Sequence, residues 1–341
     1  MNYFIALLAL AIVILVHEWG HYAAARKVGV RVYEFAVGFG PVVWRKTKDG
    51  TDYVLRLLPL GGFVKLGGMA DDRESCPPAK NYYHKSIPAR LLVLAAGAGM
   101  NIITGFLLFF IILVTVGGPS HIPMVDRVVD GSPAQEAGLQ KGDHILAVDG
   151  DVIEDLHEDL ISLIQVSEGK QLLLQISRED QVQILAVTPR EEEGSVRIGI
   201  SFDFVYERYP FFEAIGQAGR NTYISGKQVF TSLAMLFSRE ASFQDLAGPI
   251  GLLQMGSAQL TQSFAQFLGL MALISVSLGV INLLPFPVLD GGHILFALIE
   301  GVTGRPLNRK VETGLYYVGA ALLLTVMVLV IFNDVIHWGA R

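Results

Sequence analysis

Four apolar stretches, each about as long as a bilayer is thick, constrain this chain before anything else does. They are 3–25, 91–116, 264–284 and 315–332. About 20 apolar residues cross the hydrocarbon core as a helix, so each stretch reads as a span. The composition agrees: the chain is 52% hydrophobic but only 17% charged, against roughly 25% charged in an ordinary soluble domain. A cleavable leader is disfavoured for the first stretch. It lacks a basic start, and cutting at Ala23–Ala25 would discard the polar residues discussed below. The one cysteine, Cys76, excludes an internal disulfide framework.

The basic residues orient the spans. Segment 26–90 holds twelve Lys/Arg against six Asp/Glu, whereas 118–263 holds ten against twenty-one. Loop 300–311 adds Arg305, Arg309 and Lys310 against Glu300. The first and last of these segments are therefore expected in the cytoplasm. Both termini and 118–263 are expected across the membrane, on its outer side.

Residues 118–202 read as a soluble insertion. Ser132 is placed to cap a short helix with Pro133 at its first position. Gly138 ends it, and Gly142-Asp143 turns into a strand. "QLLLQISRED" and "VQILAVTP" alternate as a hairpin. This pattern resembles a PDZ domain, which adds an extended peptide or a chain terminus as a strand at its edge. Residues 203–263 read as a periplasmic amphipathic linker. Phe211, Phe212, Ile215, Tyr223, Phe230, Leu233 and Phe237 fit either the membrane surface, among lipids, or packing against the soluble domain.

Residues 30–70 are too apolar for a free loop and too broken by Gly and Pro for a spanning helix. Irregular backbone at membrane depth survives only against protein or a water-filled cavity. A re-entrant β element is expected there, with a hairpin turn at Lys48–Thr51.

The chemistry lies in the first span. "ILVHEWGHYAAA" follows fourteen uncharged residues, Tyr3 to Val16, and puts two imidazoles and a carboxylate at depth. Polar ionisable groups there mark function. Residues four apart share a helix face, so His17 and His21 can present two nitrogens to one metal ion. Glu18 beside them suits a general base, the arrangement of helical zinc peptidases. A catalytic zinc needs a third protein ligand. Asp290, in "NLLPFPVLDGGHILF" after the third span, is one candidate, and an N-cap aspartate is its plainer role. His293 is another. Asp334 and His337 fall beyond the fourth span on the wrong side. His121, His144 and His157 read as surface histidines.

Together these segments resemble the bacterial site-2 protease family. The resemblance is carried by His17-Glu18-x-x-His21 in the first span and Gly38–Pro41. It continues through Gly97-Ala98-Gly99-Met100-Asn101 in the second span, one PDZ-like domain, and Asn282-x-x-Pro285-x-Pro287-x-Leu289-Asp290-Gly291. It covers nearly the whole chain in the family's order. Met100 stands where the family has Pro, and Trp19 where it has Leu.

The resemblance implies an α-helical membrane protein with four transmembrane helices. To these it adds a re-entrant β element and one inserted periplasmic PDZ domain. Its parts would be a first transmembrane portion (1–117), the PDZ domain (118–202), the linker (203–263) and a second transmembrane portion (264–341). It implies one catalytic Zn²⁺ held by His17, His21 and Asp290, with Glu18 as base and the site toward the cytoplasm. Asn282 and Asn101 are implied to contact substrate. The implied substrates are membrane-spanning proteins, such as single-span anti-sigma factors or signal-peptide remnants. No nucleic-acid partner is expected. Two other classes fit parts of the pattern. A catalytically dead PDZ adaptor sits poorly with an intact motif, and a metal transporter usually shows internal repeats, absent here.

Overall fold

The computed structural model describes residues 1–69, 76–119, 123–153, 160–179, 181–192, 195–203, 206–238 and 247–336. His121, His157 and His337 lie outside them. The chain divides into two compact units. One is Met1–Ile112 with Phe211–Arg341, and the other is Leu113–Pro210.

The chain opens with helix α1 (Asn2–Lys27). Strands β1 (Val32–Lys48) and β2 (Thr51–Leu66) follow, with Asp49 and Gly50 at positive φ between them. That turn geometry matches a two-residue hairpin. Their register is broken in the middle. Glu34–Val37 lie opposite both Asp52–Leu55 and Gly62–Lys65, while Val42–Lys48 lie opposite Thr51–Arg56. The stretch 62–66 therefore lies at an edge, and no other element's strand pairs with it among the described residues. Helix α2 (Ile87–Thr115) comes next.

The second unit carries β3 (Gly118–Pro119), β4 (Met124–Val128), the short helix α3 (Pro133–Glu136), β5 (His144–Val148) and β6 (Asp151–Val152). It continues with α4 (Ser162–Val166), β7 (Leu172–Arg178), β8 (Gln181–Val187), β9 (Arg190–Glu192), β10 (Ser195–Arg197), β11 (Ile200–Asp203) and β12 (Tyr206–Glu207). The main sheet runs β11-β4-β5-β7-β8, with β6 on β5. Val125, Ile145, Leu160, Leu174 and Ile176 fill its core. The local signals act as their chemistry dictates. The Ser132 hydroxyl accepts the Gln135 N–H, and Gly138 and Gly142 take positive φ. Arg178 grips the buried Asp143 carboxylate with two N–H groups at 2.7 Å each. Burial works against the charge of Asp143, but the Arg178 bonds and the Gln140 N–H outweigh it and hold the carboxyl below its ordinary range.

The chain then returns to the first unit with α5 (Phe211–Ser238), α6 (Pro249–Gln262), α7 (Phe264–Asn282), α8 (Asp290–Thr303) and α9 (Arg309–Ile336). Among the described residues, four helices are long and apolar enough to cross a membrane: α1, α2, α7 and Lys310–Ile336 of α9. The linker helix α5 belongs to the first unit. It packs along α7, with Gly226 nearest Val276 and Val280. Its inward face is small, with Ala214, Ala218 and Ser225 buried. Phe211, Phe212, Tyr223 and Phe230 stay exposed.

Asp334 lies within the last turns of α9, not beyond the span. Its buried carboxylate accepts the backbone N–H groups of Gly248 at 3.1 Å and Gly251 at 3.0 Å. It caps α6, whose own N-cap Gly248 has no side chain to do so.

Candidate metal centre

The site is built where α1 and α2 cross. Small residues let the two backbones approach, as in other membrane helix pairs. A side chain on Gly20 would run into the Ala96 carbonyl and Met100, and one on Gly97 would occupy the His21 imidazole. His17 and His21 are both buried on this face of α1. The third arm comes from the break between α7 and α8. Residues 283–289 are non-helical, and α8 restarts at Asp290. Leu289 occupies the N-cap position, so the Asp290 carboxylate is not spent on capping. Gly291 and Gly292 allow the restart, because a Cβ on either would strike the carbonyls of Leu283, Leu284 or Phe286.

Three donor atoms converge. His17 Nε2 and His21 Nε2 are 3.2 Å apart. Asp290 Oδ2 lies 3.3 Å from the first and 3.2 Å from the second. These are the only three such residues grouped tightly enough for a metal among the described residues. A tetrahedral zinc with bonds of about 2.0–2.1 Å sets its ligand atoms roughly 3.3–3.4 Å apart. The observed triangle has that size before any ion is placed in it. Asp290 Oδ2 is buried with no hydrogen-bond donor of its own, which a cation would satisfy. The His21 Nδ1 lies 2.8 Å from the Val93 carbonyl oxygen. A carbonyl can only accept, so Nδ1 carries the proton and Nε2 keeps its lone pair for a metal. The residues fit zinc.

A cavity of about 400 Å³ opens onto this triangle. Glu18 lines it beside the ligands, as do Phe63, Val64 and Leu66 of the free sheet edge. Asn282, His293 and Tyr316 complete the wall. His293 stays outside the donor group. Asn101, expected to meet substrate, does not line the cavity. It is 0% exposed and faces His17. The approach of Gly62 to Glu18 was not legible in the sequence: a Cβ there would come within 3.1 Å of Glu18 Cγ.

The second unit has its own groove, lined by Ile161, Ile164 and Gln165 along α4 and by Ser195–Ile200 opposite. β11, at the edge of the sheet, borders it.

Comparison with known proteins bears on this geometry directly. The model of peptidase family M50 matches residues 5–326. A relative from Clostridium perfringens is 35% identical over 333 residues, covering 97% of each chain. The regulator of sigma-E protease RseP of Escherichia coli is 28% identical over 439 aligned positions, covering 96% of this chain and 97% of its own. That alignment is longer than this chain, so RseP carries residues with no counterpart here. The zinc metalloprotease RasP of Bacillus licheniformis is 26% identical, covering 98% of this chain and 99% of its own. With its matching family model and its near full-length relatives, the chain belongs to peptidase family M50, the site-2 proteases, which are intramembrane zinc metalloproteases.

Proposed function

We propose that His17, His21 and Asp290 hold the catalytic zinc and that Glu18 is the general base for cleavage of a membrane-spanning substrate. The observation that carries this is the triangle of donor atoms, 3.2–3.3 Å on a side, opening onto a cavity that Glu18 lines.

Zinc, when bound, polarises a carbonyl and makes water easier to deprotonate. Glu18 takes a proton from the attacking water as the water oxygen bonds to the scissile carbonyl carbon. It then returns that proton to the amide nitrogen as the C–N bond breaks. One water is consumed and two chains leave, one ending in a carboxylate and the other beginning with an amine.

The substrate must first lose its helix, because a helical carbonyl is already bonded within the segment. The 62–66 edge supplies new partners. An unwound stretch laid beside Gly62–Leu66 would exchange backbone bonds with it and pass in front of Glu18. Asn282, on the last turn of α7, reaches the same cavity with an amide suited to a substrate backbone group.

We read the charge bias as putting 26–90 and 300–311 in the cytoplasm and 118–263 on the periplasmic or outer side. We read the second unit as a PDZ domain that takes an extended peptide or a chain terminus in its α4 groove and tunes access to the site. Single-span anti-sigma factors and signal-peptide remnants are the substrates we put forward. The name of the Escherichia coli relative links that protein to sigma-E.

The test is purified protein in liposomes with a single-span substrate, its fragments mapped by mass spectrometry. Cleavage inside the membrane segment, stopped by a chelator and restored by zinc, is expected. Cleavage confined to the exposed flanks would refute the reading. Metal analysis separates the third ligand from its rival. Asp290→Ala should lower zinc affinity by more than about tenfold and His293→Ala should not, and the reverse would move the ligand to His293.

A further inference from the structure

The two histidines of the motif are held from behind by different groups. His21 Nδ1 faces a carbonyl, that of Val93, at 2.8 Å. His17 Nδ1 faces the side-chain amide of Asn101 at 3.4 Å. Both partners come from α2, about two turns apart.

Asn101 is clamped in place. Its own carbonyl accepts the Ser275 hydroxyl at 2.8 Å, which ties it to α7. The α7 backbone closes on it at Gly279, where a Cβ would stand 3.3 Å from Asn101 Cβ. A buried residue held at its backbone carbonyl and Cβ by α7 is a rigid support for an imidazole.

The direction of that amide decides what His17 can do. As placed, Nδ2 points at His17 Nδ1, and Oδ1 is buried with no partner. Nδ2 only donates, so Nδ1 would accept and the imidazole proton would sit on Nε2. That proton would point at His21 Nε2 and Asp290 Oδ2, into the space a metal needs. The two ends of an amide are nearly equal in size, and only hydrogen bonds tell them apart. Turned over, Oδ1 accepts from Nδ1–H, and His17 Nε2 presents a lone pair just as His21 does. The position that Oδ1 leaves offers no donor, so the turn forfeits no bond.

We infer that Asn101 is a positioning residue for the metal. Its side-chain oxygen accepts from His17 Nδ1–H and fixes the ligating tautomer, the role that the Val93 carbonyl plays for His21. This rests on His17 and His21 being zinc ligands.

The experiment compares zinc affinity, by chelator competition, of the full-length wild type, Asn101→Leu and Asn101→Asp. It adds the visible absorption of the cobalt-substituted proteins, which reports ligand geometry. Loss of an outer-shell partner costs about 10–100-fold in metal affinity, and Asn101→Leu should fall in that range with an altered cobalt spectrum. Asn101→Asp keeps an acceptor at the same place and should retain wild-type affinity and spectrum. If the Leu variant does not fold, Asn101→Ala, which removes the acceptor without adding bulk, takes its place with the same expectation. Wild-type affinity in the variant lacking the acceptor would overturn the inference. So would equal weakening in that variant and Asn101→Asp, because packing alone would then explain both. A wild type that binds no zinc would overturn the metal reading itself.

Discussion

Two spans of this protein border the same cavity and are held in opposite ways. Around α1, 28% of the most apolar window is buried, but for α9 only 6%. α1 meets α2 through glycines, and its polar groups are fixed from behind by Val93 and Asn101. α9 contributes Tyr316 to the cavity wall but is tied down mainly at its ends and one crossing. Near the start of the helix the Tyr83 hydroxyl donates to Glu312 at 3.3 Å. In the middle, Gly319 lies against Phe286, Pro287 and Val288. At the far end Asp334 caps α6. The difference teaches where rigidity is needed. Ligand atoms must hold a triangle to within a few tenths of an ångström, and that requires close packing plus fixed hydrogen bonds. A wall that only shapes the cavity does not.

The largest effect should come from spoiling the tight region. Gly97→Val puts methyl groups where the His21 ring lies. Zinc affinity should fall by more than about 100-fold, beyond the loss from removing an outer-shell partner. Wild-type affinity in this variant, measured by chelator competition, would show that the crossing tolerates slack and would erase the contrast.

A smaller effect is expected on the other side. Asp334→Ala leaves two N–H groups at the α6 start without their acceptor. It should cost about 2–3 kcal/mol of stability, read as thermal unfolding in detergent. Zinc affinity should stay at the wild-type value. If the metal were lost as well, the wall and the ligand cradle would be one cooperative unit.

The smallest effect belongs to the other end of α9. Tyr83→Phe removes the hydroxyl bond to Glu312 and should cost about 0.5–1.5 kcal/mol, again with zinc retained. A loss larger than that of Asp334→Ala would reverse the order of the two anchors.

Much of this was legible in the residues themselves. The four spans declare themselves by length and lack of charge, and His17, Glu18 and His21 by helical spacing inside one of them. The hairpin turn at Asp49-Gly50 and the Ser132 cap follow from local rules that need no tertiary context. Asp290 was legible only as one of two candidates, because its role depends on a chain reversal that brings α8 back to α1. The contacts from Asn101 to His17 and from Asp334 to Gly248 were not legible. They join residues 84 and 86 apart, and neither periodicity nor composition encodes such a meeting. The double pairing of 34–37 was hidden for a similar reason. Breaks in register depend on how the Gly- and Pro-rich segments bend, and alternation of side chains does not reveal that. The contact of α5 with α7 was not legible either, because small residues make it and they carry no strong apolar signal.

The central claim is that the two histidine ligands and the base are separate groups on neighbouring positions of α1. The most direct measurement is made on purified Glu18→Gln, recording zinc per chain alongside the rate of cleavage of a helical membrane substrate in liposomes. The account predicts zinc content equal to wild type and a rate lowered by about 10²–10⁴-fold, the usual worth of a general acid–base group. Near-normal cleavage with zinc in place would contradict it.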